Sequence, residues 1–242
     1  MPNLAIAAPP GCSGAELEEA VCEVANSLLG DTSQIKLLEA GCGSASHIAF
    51  KAEVHAVGID ISKEELEMNA VVDERIVGDI QEYPLPKDEF DVVVCWMVLE
   101  HLSRPKDALR NLCRTVKPQG LLILGFPNLL SIKGIVTKIT PFWFHKLFYH
   151  LMKYSSHHFP TYFRIAILPK NVMRFAEENG FSVELCKLAE GGVSKRVRNR
   201  FWFMDMAFSA VDSFIRRVSF GKLPSPLLDG CAMILKKRGT TF

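Results

Sequence analysis

The chain has 242 residues, of which 48% are hydrophobic, and a formal net charge of +1. This is enough apolar material to bury a full core in one elaborated domain, and the near-neutral charge gives no chain-wide footprint for nucleic acid. Seven scattered cysteines, Cys12, Cys22, Cys42, Cys95, Cys113, Cys186 and Cys231, are never spaced Cys-x-x-Cys. That pattern argues against a zinc site or a disulfide framework and fits a reducing cytoplasm.

In chain order, Met1 to Gly14 lack a basic n-region and are expected to form a loose tail before an N-terminal helix within residues 1–35. From Lys36 to Phe126, short apolar runs alternate with helical ones. Strands are expected to Glu39, over Val54 to Ile59, near Arg75 to Val77, over Phe90 to Cys95 and over Leu121 to Gly125. Helices are expected from Ser44, from Lys63 and over Pro105 to Val116. Such alternation implies parallel strands with right-handed crossovers and helices on both faces. The run Asp91-Val92-Val93-Val94-Cys95 is apolar without alternation, as in a sheet covered on both sides.

After Phe126 the rhythm stops, and residues 129–168 are rich in aromatics and histidine, a long insertion that reads as a partly helical lid. A helix over Pro169 to Asn179, a sixth strand over Phe181 to Leu188 and a seventh over Cys231 to Lys236 follow. A second insertion occupies 189–230. The expected fold is therefore α/β: a doubly wound, mostly parallel seven-stranded sheet, with a cofactor-binding core at 36–128 and insertions after the fifth and sixth strands. No run reaches about eighteen uncharged apolar residues, so no membrane span is expected.

The chemistry concentrates at Leu37-Leu38-Glu39-Ala40-Gly41-Cys42-Gly43-Ser44-Ala45, with Asp60 about twenty residues further on. Gly41 and Gly43 allow a sharp turn against which a ligand can lie, and Asp60 ends a strand where a carboxylate can accept from two ribose hydroxyls. A dinucleotide fingerprint requires a third glycine where this chain has Ser46. Glu39 would repel a pyrophosphate but would favour a sulfonium and an α-ammonium. The turn therefore favours S-adenosylmethionine. Gly78-Asp79-Ile80 agrees, placing a carboxylate for an adenine amino group and an apolar neighbour for the ring at the end of the third strand.

With Phe90 to Leu102 and the Arg114-Thr115-Val116-Lys117-Pro118-Gln119-Gly120 turn, the order of landmarks resembles the Rossmann-like, class I S-adenosylmethionine-dependent methyltransferases, in the ubiquinone- and menaquinone-biosynthesis-type branch. The likeness covers roughly Leu37 to Asn128. It implies cofactor contacts at Glu39, Gly41, Gly43, Asp60 with Ile61, Asp79, Ile80 and Trp96. Ala45 and Gln119 depart from it, standing where glycines are usual.

If the acceptor is a hydroxyl, a general base assists, and His158 or His145 in the lid is the candidate. The bland reading of each is a packing or surface histidine. The expected acceptor is a small molecule, with transfer to an oxygen of a lipophilic, phenolic or sugar-containing metabolite. A nucleic-acid methyltransferase and a non-catalytic cofactor-binding module are the alternatives, and no metal is expected. Phe201, Met204, Phe208, Val211, Ile215 and Val218 recur at helical spacing between basic clusters. Residues 195–222 thus suit peripheral membrane contact or packing on the lid or a second subunit.

Overall fold

The computed structural model describes residues 6–7, 14–46, 48–139, 164–220 and 224–239. Its strands are β1 (Ile6–Ala7), β2 (Gln34–Ala40), β3 (Glu53–Asp60), β4 (Glu74–Val77), β5 (Phe90–Trp96), β6 (Val116–Pro127), β7 (Phe181–Ala189) and β8 (Gly230–Lys237). They form one sheet in the order β1-β7-β8-β6-β5-β2-β3-β4. β8 runs antiparallel to β6 and β7, and the other pairings are parallel. The helices are α1 (Gly14–Leu29), α2 (Lys63–Met68), α3 (Pro105–Thr115), α4 (Ile132–Ile139), α5 (Pro169–Glu178), α6 (Gly192–Arg200) and α7 (Trp202–Val218).

Seven strands are those expected from the sequence, and β1 corrects the expectation of a loose tail. Ile6 and Ala7 pair with Lys187 and Leu188, covering an edge of β7 that would otherwise present unpaired backbone groups. A two-residue strand is too short to leave a periodic signal.

Period-two geometry explains the continuously apolar strands. Leu38, Val93, Cys95, Leu122 and Leu124 face one way, against Ala108, Leu109 and Leu112 of α3 and Val172 and Ala176 of α5. Leu37, Val92, Val94, Leu121 and Ile123 face the other way, against Leu17, Val21 and Ala25 of α1. Both faces are therefore buried, as a parallel sheet requires.

The helix expected from Ser44 is absent: the described residues from Ser44 to Ala52 form a turn and irregular chain. The reason is distance. A parallel crossover must return along the seven residues of β2, about 20 Å of strand, whereas the nine residues 44–52 would cover only about 13 Å as a helix. An extended path makes the return, and Ile48 and Phe50 still pack on the α1 side of the core.

From β2 the chain steps outward to β3 and β4, then crosses to the other side of β2 to form β5. The glycine turn following β2 thus opens at the point where strand order reverses, on the carboxyl edge where α/β sheets bind ligands. On that edge the second insertion begins with α6 and α7. The expected apolar face of α7 is corrected: Phe201, Phe208 and Ile215 are half-buried, but Val211 and Val218 are exposed, and the Met204 side chain lies outside the description. Asp205 and Asp212 occupy the half-buried side instead, paired to Arg198 and Arg216.

Candidate functional site

Gly41 has φ +70° and donates its N–H to Ile59 O at 2.7 Å, locking the turn to the end of β3. Gly43 has φ +49° and donates its N–H to Asp60 Oδ2 at 2.9 Å, while Asp60 Oδ1 accepts from Ser62 N–H at 2.9 Å. Asp60 is thereby fixed between two loops, with lone pairs remaining on both oxygens. Ser62 also caps α2, accepting from Glu65 N–H. Asn69 is fully buried and donates to Gly43 O at 3.1 Å. That clamp has no local sequence signature, because its partner lies in a different loop.

A side chain at Gly41 would collide with Val98, whose Cγ2 would lie 2.5 Å from the new Cβ. Over Gly43 the space is open, the nearest atom being Glu65 Oε2 at 3.8 Å. The cradle of the turn is therefore at Gly43, and Val98 roofs Gly41.

Glu39 is opposite Val94 in the β2–β5 register and shares a crevice with Gly41, Cys42, Ala45, Val94 and Trp96. It is only 3% exposed. Its Oε2 accepts from the Ser46 hydroxyl, and its Oε1 has no partner among the described residues. Burial pushes its carboxyl above the usual range, and the Ser46 hydrogen bond only partly offsets this. A buried carboxylate oxygen without a donor calls for a cationic or N–H donor from a ligand. Sequence reasoning treated Ser46 as a missing glycine, but its hydroxyl aims Glu39.

Further along the edge, Asp79 Oδ1 accepts from Gln81 N–H at 2.8 Å, and its two oxygens accept from Gln81 Nε2 at 3.0 and 2.9 Å. The expectation that the Ile80 side chain packs on a ring is corrected. It is 4% exposed and belongs to the core, and its carbonyl accepts from Asn111 Nδ2 at 3.0 Å. Ile61, 69% exposed beside Asp60, is an apolar side chain left open at this edge. Trp96 ends β5 with its indole against Gly125, where an added Cβ would approach Trp96 Cδ2 to 2.4 Å. Next to it, Met97 has φ +56°, a left-handed conformation rare outside glycine.

Residues 38–124 match the family described as a methyltransferase domain. That stretch is similar to methyltransferase domains, and a probable S-adenosylmethionine-dependent methyltransferase of Mycolicibacterium smegmatis is among the chain's relatives. Among similar proteins is the mitochondrial ubiquinone biosynthesis O-methyltransferase of Schizosaccharomyces pombe, 38% identical over 102 residues, which are 37% of each chain. Another is the 27-O-demethylrifamycin SV methyltransferase of Amycolatopsis mediterranei, 33% identical over 126 residues, 46% of each chain. The chain spans less than half the length of these curated relatives. Two solved structures share the fold. The [4+2]-cyclase SpnF matches with a TM-score of 0.56 at 18% identity, covering 93% of this chain and 82% of that one. The cyclopropane synthase MmaA2 of Mycobacterium tuberculosis matches with a TM-score of 0.53 at 16% identity, covering 95% and 87%.

S-adenosylmethionine is the cofactor of this methyltransferase family, and the residues present fit it. Glu39 offers an unpartnered carboxylate oxygen to an ammonium, Gly43 an open backbone cradle, Asp60 spare lone pairs for hydroxyls, and Ile61 an apolar surface. Burial, with Asp60 and Glu39 nearby, pushes the Cys42 thiol up to about 12, so it stays protonated and is no nucleophile.

Beyond Met97 lies a second buried acid. Glu100, in the 3-10 turn Leu99–His101, is 2% exposed and its Oε2 has no partner among the described residues. Burial raises its carboxyl to about 7, against the opposing effects of a backbone hydrogen bond and the Lys133 charge. His145 and His158 lie outside the described residues. No group of three His, Cys, Asp or Glu is placed to hold a metal among the described residues, and none of their helices is long and apolar enough to cross a membrane.

Proposed function

We propose that this chain transfers the methyl group of S-adenosylmethionine to an oxygen of a lipophilic, phenolic or sugar-containing small molecule. The observation that carries the donor half is the unpartnered, buried Oε1 of Glu39 beside the glycine turn. When bound, the cofactor supplies a methyl group already activated by its sulfonium charge. The chain's own work is to hold, orient and exclude water. In this reading Glu39 receives the α-ammonium and Gly43 cradles the methionine end, with Gly41 making the turn that places it. Asp60 accepts from the ribose, and Ile61 with Asp79 and the Ile80 backbone borders the adenine. Trp96 and Val98 wall the passage to the acceptor.

The choice of an oxygen acceptor is supported by the printed names of the ubiquinone O-methyltransferase and the 27-O-demethylrifamycin methyltransferase. His158 or His145 is the proposed proton acceptor for such a hydroxyl. The test incubates the protein with methyl-labelled S-adenosylmethionine and a metabolite extract, followed by mass spectrometry of labelled products. A labelled, base-stable ether is expected. Saturable cofactor binding without any labelled product would instead support a binding module, and label recovered in nucleic acid would support the other alternative.

A further inference from the structure

α7 presents an unusual surface for a helix of this kind. Its half-buried side carries Asp205, Phe208, Asp212 and Ile215, yet the opposite side is also apolar. Trp202 is 75% exposed and Phe214 66%, and Phe203, Met206, Val211 and Val218 are exposed with them. At about 100° per residue these side chains, with Ala207 and Ala210, sweep about half the circumference of the helix. The charge around this arc is one-sided. Residues 192–220 carry six Lys or Arg against two Asp, in a chain whose formal net charge is only +1. Both aspartates are paired, Asp205 with Arg198 at 2.7 Å and Asp212 with Arg216 at 2.9 Å. Exposed Arg196 and Arg200 lie at one end of the arc, and exposed Arg216 and Arg217 at the other.

We infer that the exposed face of α7, with the basic residues at its two ends, docks on an anionic lipid surface. An aromatic, apolar stripe flanked by guanidinium groups is the pattern of a helix lying in the plane of a bilayer interface, its rings in the acyl boundary and its arginines among the headgroups. A second copy of the chain fits less well. With arginines at both ends, parallel and antiparallel pairing of two α7 helices would each bring like charges together. Residues 140–163 contain no Asp or Glu either, so that segment brings no counter-charge.

The position gives the docking a purpose, which rests on the lipophilic-acceptor reading above. α6 and α7 follow the carboxyl end of β7, on the same edge of the sheet as the glycine turn. α6 is tied there by buried Asp229, which accepts from Gly191 N–H and from Ser194 Oγ at 2.8 Å. Docking would face the catalytic edge toward the source of an apolar acceptor.

The test is flotation of the full chain with vesicles of phosphatidylcholine, alone or mixed with phosphatidylglycerol, at low and high salt, with S-adenosylmethionine binding measured in parallel by calorimetry. Wild type is expected to float with the anionic vesicles and to be released by salt. Trp202→Glu with Phe214→Glu should abolish flotation, and Arg200→Gln with Arg217→Gln should weaken it roughly tenfold or more. Both double variants should keep cofactor binding, which shows that they are folded. Absence of flotation by cofactor-competent wild type overturns the inference, as does equal, salt-insensitive flotation with neutral vesicles. A dimer that dissociates in the Trp202/Phe214 variant without any vesicle binding also overturns it, in favour of a second copy. Loss of cofactor binding by wild type with flotation intact would instead remove the methyltransferase reading and leave the docking surface standing.

Discussion

The Gly43 N–H donates to Asp60 Oδ2 across 2.9 Å, joining the turn after β2 to the end of β3. One carboxylate therefore shapes the cradle at Gly43 and, in the proposed reading, keeps lone pairs for the ribose hydroxyls. Asp60→Asn keeps an acceptor for only one of the two backbone donors, Gly43 N–H or Ser62 N–H. Hydrogen bonds to a charged group contribute about 1.5–3 kcal/mol, so S-adenosylmethionine affinity should fall by about ten- to a hundredfold in calorimetry. Asp60→Ala should fall at least as far. Unchanged affinity in both variants would remove the assigned pocket.

Glu39 has a different signature, because its two roles pull in opposite directions. Burial raises its pKa in the folded chain, so the ionised form opposes folding, and this penalty grows as pH rises above the ordinary carboxylate range. Glu39→Gln should leave the melting temperature of the cofactor-free protein unchanged or higher at neutral pH. The same variant should bind S-adenosylmethionine about tenfold more weakly, because an amide loses the ionic contact with the ammonium. A drop in both quantities would mean that Glu39 serves packing alone.

The parts of this molecule that could be read from sequence are those set by local repetition. Runs such as Asp91 to Cys95 announce buried strands because both neighbouring layers impose the same demand on every residue. The order of acids and glycines from Glu39 to Asp79 announces the donor because each lies at a strand end. What could not be read depends on length or on distant partners. The missing helix after Gly43 follows from the span of β2 against nine available residues, a comparison that needs the register. Asn69 on Gly43 and Ser46 on Glu39 join loops whose proximity exists only after folding. The buried face of α7 is not legible in the sequence because that helix is apolar on two sides, and periodicity then gives no unique direction.

Glu100 sets a pH dependence whose sign follows from its surroundings. Its carboxyl rises from 4.5 to about 7 in the fold, through burial first, with a backbone hydrogen bond and the Lys133 charge opposing the rise. A raised pKa means that its contribution to stability is complete below about pH 4.5 and is lost as pH rises through about 7. Glu100→Gln imitates the protonated acid at every pH. Urea unfolding should therefore show wild type and variant nearly equal at pH 4.5, with the variant gaining up to about 3 kcal/mol by pH 8. A difference that does not change between those pH values would mean that the acid is not strained by its burial.

The irregular stretch of β6 between Val116 and Leu121 offers a stability change that leaves the site untouched. Gln119 is exposed with φ +67°, in the left-handed region that favours glycine. A left-handed conformation costs a side-chain-bearing residue about 1–2 kcal/mol, and glycine's greater freedom in the unfolded chain returns about 0.4–1 kcal/mol of that. Gln119→Gly should thus stabilise by about 0.5–1 kcal/mol, a rise of roughly 2 °C in melting temperature for a chain of this size. Its neighbour should behave oppositely. A Cβ at Gly120 would lie 2.7 Å from Asp91 O and 2.9 Å from Lys117 O, both backbone atoms that cannot swing aside. Gly120→Ala should therefore lower the melting temperature. Because neither residue touches the cradle at Gly43, S-adenosylmethionine affinity should stay at the wild-type value in Gln119→Gly. A change in affinity there would show that this stretch of β6 communicates with the cofactor edge through Gly125 and Trp96.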